Sequence, residues 1–277
     1  MYRAIVLLWL GLIALLPSVL MASEVGTKST TNIEIELAPV WWQYEELSGA
    51  RAGFATTPLK SSAQGYGAEL GAVLHHRLDE NWQFMASWKN IFPIYKATET
   101  WQLANGVQSN QLRIAQSELH LEVLRKLYGA DLGLWTSYQW HLQSRQKFRC
   151  NGVLVCGGKP VSDNDKPIRE TVQTLWAGVA LQAESDNALV MLRLEGGLPM
   201  WVYTTNSSVV GAFTRRSGFR MGGSASILLP WQQGTEARLA VAYQYRELGN
   251  ELLQTTSQWL WPSNRWQTLS LEMSLRW

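Results

Sequence analysis

Residues 264–277 read Asn-Arg-Trp-Gln-Thr-Leu-Ser-Leu-Glu-Met-Ser-Leu-Arg-Trp. From Leu269 to Trp277 every odd position is apolar, and the even positions between them are Ser, Glu or Arg. A period of two places these two sets on opposite faces of a β-strand. The stretch therefore predicts a strand with one apolar and one polar face. On its own, the pattern also fits an edge strand of a secreted β-sandwich.

A final alternating strand that ends on an aromatic residue, as Leu269 to Trp277 does, resembles the carboxyl-terminal signature of Gram-negative bacterial outer-membrane β-barrels. The resemblance implies an antiparallel transmembrane β-barrel in the bacterial outer membrane. It also implies that the barrel-assembly machinery reads this strand during insertion.

The other end of the chain has the pattern of a secretory signal peptide. Arg3 precedes an apolar run from Ala4 to Leu16, and the small residue Ala22 fits a cleavage site. Pro17 interrupts the run before it reaches the ~20 apolar residues of a membrane anchor. We therefore expect a signal peptide over 1–22 and a single barrel domain over 23–277. Cleavage removes Arg3 and no acidic residue, so the formal net charge falls from +2 to +1, which gives no argument for binding nucleic acid.

Alternation along the rest of the chain predicts about ten strands, each longer than the roughly 9–11 residues that cross a bilayer at a tilt. The predicted spans are 31–46, 63–78, 81–97, 110–126, 130–147, 168–184, 187–204, 213–229, 235–250 and 262–277. A twelve-stranded, autotransporter-like barrel without a passenger also fits the length, because residues 98–109 and 251–261 could hold extra strands.

The predicted connections alternate between short turns and long polar loops, as in outer-membrane barrels with short periplasmic turns and longer extracellular loops. The chain holds 15 Trp residues, and membrane interfaces favour Trp and Tyr. The aromatic residues fall near both ends of the predicted strands, which indicates two interfacial girdles. The short-turn group is Trp82, Tyr128, Trp231 and Trp277; the long-loop group is Trp41, Trp88, Trp140, Trp201 and Trp266.

The opposite face of the predicted strands carries many charged residues, which would be costly in the core of a soluble sandwich but fit a polar lumen. Acidic residues concentrate in the first, second and fourth strands, and Arg dominates the seventh to ninth. We expect these arcs to pair across the lumen and largely plug it. The expected network comprises Glu69, Lys89, Glu118, Arg193, Glu195, Arg220 and Arg238.

One set of inward residues contains the parts of an activated nucleophile. A turn near Tyr128 and Gly129 would place His120 opposite Ser137, Glu118 opposite Gln139 and Gln116 opposite His141. The weak catalytic candidates are Glu118, His120, Ser137 and His141, but a satisfied polar network in the plugged lumen is favoured.

Known barrel enzymes resemble the chain only in part. Outer-membrane proteases resemble it in strand count and loop sorting, and their Asp pair and Asp–His couple lie at the outer rim. Here only Asp163 and Asp165 are expected outside, without a His beside them. Lipid-hydrolysing barrels use a His and a Ser toward the lipid, but the outward His76 lies near the short turns.

The predicted outer loops contain both cysteines and a group of basic residues. Cys150 and Cys156 flank a short segment, and an oxidising compartment favours a disulfide between them. Arg145, Lys147 and Arg149 are expected to face lipopolysaccharide, whose phosphates they could pair. Solvated loop charges are the alternative. We expect no metal and no cofactor.

The sequence thus favours an outer-membrane barrel with a plugged, charged lumen that displays extracellular loops. These loops would bind lipopolysaccharide or a surface ligand, or serve envelope maintenance, and such roles are favoured over catalysis. The alternatives are a narrow channel for small solutes, the passenger-less autotransporter barrel, and a lipid-modifying or proteolytic barrel enzyme.

Overall fold

The computed structural model describes residues 30–47, 60–103, 106–127, 129–151, 167–185, 189–207, 212–215, 217–232, 235–249, 251–252, 260–261 and 263–277. The expected signal peptide and the proposed partner of Cys150, Cys156, lie outside these residues. No helix in the described ranges is long and apolar enough to span a membrane.

Ten antiparallel barrel strands are formed by the described residues, two of them in two pieces. They are β1 (Thr30–Leu47), β2 (Lys60–Arg77), β3 (Trp82–Pro93 and Ala97–Leu103), β4 (Gly106–Leu127), β5 (Ala130–Asn151), β6 (Ile168–Glu184), β7 (Val190–Asn206), β8 (Ala212–Arg215 and Gly218–Gln232), β9 (Thr235–Leu248) and β10 (Ser263–Arg276). A separate two-residue ribbon pairs Glu251–Leu252 with Leu260–Trp261.

The carboxyl-terminal stretch closes the cylinder, because β10 pairs with both β9 and β1. The last residue takes part: Trp277 N donates to Ile33 O at 2.9 Å, and Ile33 N donates to Trp277 O at 3.1 Å. The alternation predicted for this stretch is confirmed, since Leu271 and Met273 are about half exposed while Glu272 between them is buried. Polarity is thus inverted relative to a soluble sheet, with apolar residues outside and charge inside.

The predicted strand count is confirmed at ten, but the two segments proposed to hide extra strands behave differently. Residues 98–109 were expected to form a loop, and that prediction is wrong. Ala97–Leu103 continues β3, and the β3–β4 connection shrinks to residues 104–105. The extra pairing in residues 98–109 lengthens existing strands, and that in residues 251–261 forms only the separate two-residue ribbon, which argues against the twelve-stranded alternative.

Turn chemistry at one end of the barrel matches the short connections. Asp79 Oδ1 accepts hydrogen bonds from the backbone N–H of Asn81 at 2.7 Å and of Trp82 at 2.9 Å, which stabilises the β2–β3 turn. Gly129 has a φ of 76° in the β4–β5 turn, where a side chain would be strained. We call this the turn end and the opposite end, where the longer connections lie, the loop end.

The outer surface carries an apolar belt with aromatic residues at its rims. Trp82 and Trp277 at the turn end, and Trp140 toward the loop end, are all more than a third exposed. Trp88 was expected in the loop-end girdle and is also exposed, but it pairs with Ala72 and Leu119 and so lies within the belt, nearer the turn end. Trp266 was expected in the same girdle, but it is fully buried inside the barrel. It occupies an even position of β10, in phase with Glu272 rather than with Leu271, so the alternation itself places it inward.

Candidate functional site: the charged lumen

The lumen is filled by successive groups of side chains, and the group nearest the loop end is centred on Arg145. Its Nε lies 2.8 Å from Glu99 Oε1, its Nη1 lies 3.1 Å from Glu170 Oε2, and its Nη2 lies 2.8 Å from Glu46 Oε1. Tyr44 OH also accepts from Nη2 at 3.2 Å. We call Arg145 and its three glutamates the loop-end cluster; each of the four is at most 5% exposed.

This position corrects the expectation that Arg145 faces lipopolysaccharide. Strand β5 continues its inward phase through His141, Gln143 and Arg145, so the guanidinium points into the barrel even though the surrounding sequence is polar. The side chains of Lys147 and Arg149, the other two residues of that prediction, lie outside the described part of the chain.

Below the loop-end cluster lies an aromatic layer made of Trp42, Tyr44, His141 and Trp266. The Trp42 and Trp266 rings stack at 5.4 Å with an interplanar angle of 15°. His141 and Tyr44 meet Trp266 edge-on at 5.0 Å and 6.2 Å. None of the four is more than 1% exposed. This layer was missed, because Trp was assigned to the interface on composition rather than on strand phase.

Between the aromatic layer and the next charges lies Arg246, a buried guanidinium. It donates to Gln139 Oε1, and its Nη2 lies 3.4 Å from His141 Nδ1. Its guanidinium carbon stands 5.9 Å from the centre of the Trp266 ring, a cation–π geometry. Among the described residues, no carboxylate forms an ion pair with Arg246. Since Arg can only donate, Nδ1 of His141 accepts this hydrogen bond, and Gln143 Nε2 lies 3.0 Å from the other ring nitrogen.

The middle cluster joins Glu118, Glu122, Arg193, Glu195 and Arg220. Arg220 bridges the lumen from β8 to Glu118 on β4, at 2.5 Å, and also pairs with Glu195 at 2.9 Å. Arg193 lies 2.8 Å from Glu122 and 3.2 Å from Glu195. The predicted pairing of Arg on late strands with Glu on early strands therefore occurs here, with three glutamates around two arginines.

The register proposed for the catalytic candidates is confirmed, since His120 pairs with Ser137, Glu118 with Gln139 and Gln116 with His141. The side chains nevertheless form separate contacts. His120 Nε2 lies 3.3 Å from Glu122 and its ring stacks on Trp135. Ser137 Oγ accepts from Arg220 at 3.1 Å, and His141 belongs to the aromatic layer. Among the described residues no hydrogen bond joins His120 to Ser137, and a guanidinium beside Ser137 cannot act as its general base.

The turn-end cluster contains Glu34, Glu36, Glu69, Lys89, Arg238 and Glu272. Lys89 Nζ lies 2.9 Å from Glu36, 3.0 Å from Glu272 and 3.3 Å from Glu69. Arg238 lies 2.7 Å from Glu34, also pairs with Glu36 and reaches Glu272 at 3.7 Å. Four carboxylates thus share two cationic side chains.

A cavity of about 690 Å³ occupies the lumen beside the turn-end cluster. Its lining begins with residues at the turn end, including Thr30, Arg77 and Glu236, and its deepest residues include Gln116 and Arg220. Neither the aromatic layer nor the loop-end cluster contributes to the lining. The barrel is therefore hollow toward the turn end and filled toward the loop end.

Comparison with known proteins places this architecture in the class of outer-membrane β-barrels. The outer-membrane protease OmpT from Escherichia coli superposes with a TM-score of 0.56 at 10% sequence identity, over 92% of this chain and 99% of OmpT. The translocator domain of the autotransporter NalP from Neisseria meningitidis gives a TM-score of 0.44 at 8% identity, over 94% of this chain and 92% of NalP. No family model and no curated protein matches the sequence. At such identities the likeness concerns the fold, which agrees with the outer-membrane location expected from the sequence.

Proposed function

We propose that this protein is a non-conducting outer-membrane barrel whose function resides in its extracellular loops. The single observation that carries the proposal is the filling of the loop-end half of the lumen. There Arg145 on β5 pairs with glutamates on β1, β3 and β6, next to the Trp42–Trp266 stack. A barrel sealed in this way serves as a rigid membrane anchor for what it displays.

The physical basis is that both parts of the obstruction are costly to open. Separating a buried guanidinium from its carboxylates costs several kcal/mol, on the order of 3–5 when one partner is removed. The aromatic side chains are fully buried and packed against each other, so they leave no room for ions or water beside them. Thermal opening wide enough for a hydrated ion is therefore rare.

Planar-bilayer recording tests the proposal. The wild-type protein should show no steady conductance, and Trp42→Ala combined with Trp266→Ala should introduce one by emptying the aromatic layer. Trp41→Ala on the outer face of β1 is the matched control and should stay closed. A large conductance of the wild-type protein would refute the proposal and favour the narrow-channel alternative, which the turn-end cavity supports. Replacing Arg193 and Glu195 alone should open little, because both lie below the aromatic layer.

We further propose that the loops bind an anionic surface ligand such as lipopolysaccharide, through Lys147 and Arg149. Charge reversal of both residues should reduce the lipopolysaccharide that co-purifies with the barrel. Reversal of Arg125 and Lys126, which lie at the turn end, is the matched control and should change nothing. Equal loss in both double variants would show that total charge, and not the loops, determines the binding.

A further inference from the structure

The turn-end cavity has the size of a small-molecule site. Its volume of about 690 Å³ lies within the roughly 300–1,000 Å³ typical of ligand pockets. It opens at the end opposite the loops, so an occupant would enter from the side that the short turns face. The function proposed for the loops therefore leaves this cavity without a role.

The charge of the lining favours a cation. Eight of the lining side chains are Glu, whereas five are Arg and one is Lys. The excess is concentrated in the turn-end cluster, whose glutamates are all less than a tenth exposed. Excess carboxylates held in a partly desolvated space raise the affinity for a positively charged occupant.

Two hydrogen-bond acceptors at the deep end of the cavity can accept further hydrogen bonds. Gln116 is 5% exposed and lines the cavity, and its buried Oε1 has no hydrogen-bond partner within the described chain. Such a buried carbonyl oxygen is costly unless a donor reaches it. Glu69 forms one ion pair with the described residues, to Lys89 at 3.3 Å, although a carboxylate can accept about four hydrogen bonds.

The sheet places these acceptors on either side of an apolar residue. Ile91 on β3 pairs with Glu69 on β2 and with Gln116 on β4. All three side chains point into the lumen, and strands spaced by about 4.8 Å put the two acceptors roughly 10 Å apart at their Cα atoms. Ile91 lies between them, and Met85 lines the same cavity.

We propose that the turn-end cavity binds an organic cation that carries a protonated alkyl amine. Its ammonium group donates to the Glu69 carboxylate and to Gln116 Oε1, and its alkyl chain packs on Ile91. The acceptor pair suits an ammonium with several N–H donors. A metal ion is disfavoured, because no group of His, Cys, Asp and Glu in the described ranges has ligand geometry. A free polyamine and a lysine side chain of a peptide share this chemistry.

Isothermal titration calorimetry of the full mature barrel in detergent micelles tests the proposal. The probes are cadaverine, a terminally blocked Lys-Ala-Lys peptide, and pentanediol as the uncharged analogue of cadaverine. Saturable binding of either amine, with no binding of pentanediol, supports the cation site, and the tighter of the two amines identifies the source. Glu69→Gln should weaken binding about tenfold and Gln116→Leu about threefold.

Glu45→Gln is the matched control, because Glu45 lies on the outer face of β1 and pairs with Lys60 at 3.6 Å. It should bind like the wild type. Heat-modifiable mobility on gels reports folding of each variant, and Gln116→Leu alone decides the outcome if Glu69→Gln does not fold. Absence of binding by both amines, equal binding of pentanediol, or unchanged affinity in the folded variants would overturn the proposal. Bilayer conductance tests the closed barrel and lipopolysaccharide co-purification tests the loops, so the cation-site proposal can fail independently of both.

Discussion

Replacing Arg145 with Met should destabilise the barrel strongly. The substitution keeps most of the side-chain volume but removes the guanidinium that faces Glu46, Glu99 and Glu170. Removing one partner of a buried ion pair costs about 3–5 kcal/mol, because the other charge is left buried and unpaired. Three carboxylates are left here, so we expect the upper part of that range. With a slope of about 2–3 kcal/mol per molar urea, the unfolding midpoint should fall by roughly 1.5–2.5 M.

The assay is urea unfolding in phospholipid vesicles, followed by the total Trp fluorescence, to which the buried Trp42 and Trp266 contribute. Glu46→Gln is the informative comparison, because it lowers the carboxylate excess while keeping an acceptor for Arg145, and it should cost less than about 1 kcal/mol. Glu99→Gln should cost more than Glu46→Gln, since Glu99 also accepts from Ser61 at 2.7 Å and Asn110 at 3.0 Å. An Arg145→Met midpoint equal to that of the wild type would refute the reasoning.

Four further outcomes are expected. Gly197→Ala should block folding, because an added Cβ would stand 2.5 Å from the Trp135 ring. Gly196→Ala is the control, because its Cβ would meet nothing nearer than 3.9 Å, and the yield of heat-modifiable barrel distinguishes the two variants. Leu37→Arg in the apolar belt should lower stability in vesicles by about 2–4 kcal/mol, against about 0–1 for Leu78→Arg at the turn-end rim. Lys89→Met should lower the urea midpoint of unfolding, because it leaves glutamates of the turn-end cluster unpaired, as Arg145→Met does in the loop-end cluster. Trp277→Ala should slow insertion by the assembly machinery while Trp277→Phe should not, measured by pulse–chase folding in cells.

The outer face of the barrel was predictable because lipid imposes a simple rule on it. Leu37, Leu271 and Met273 face outward, and such alternation predicted the strands, whereas the assumed turn near Tyr128 and Gly129 predicted the β4–β5 register. Alternation no longer identifies a strand where it extends beyond the apolar belt, because its outward residues there are polar. In Ala97–Leu103 the outward positions are Thr98, Thr100 and Gln102, so the stretch reads as a loop although its backbone is fully paired.

The same limit explains which lumen residues were missed. Glu46, Glu99 and Glu170 lie beyond the clear apolar stripes of their strands. For Glu46 a signal existed, because it continues the even-numbered phase of Glu34 and Glu36 along one unbroken strand. For Glu99 the break at residues 94–96 interrupts the alternation, so only the three-dimensional pairing with Ser61 and Arg145 reveals its side.

The two ends of the barrel differ, because the lumen is filled at the loop end and hollow at the turn end. The middle cluster sets three glutamates around two arginines, the loop-end cluster sets three carboxylates around one guanidinium, and the turn-end cluster sets four around two cations, so each cluster holds an excess of carboxylate. At the loop end that excess is buried beside packed aromatic rings, where Arg145 joins four strands. At the turn end it borders an open cavity, so the same excess is available to a mobile cation. One charge pattern thus anchors strands at one end of the barrel and favours a ligand at the other.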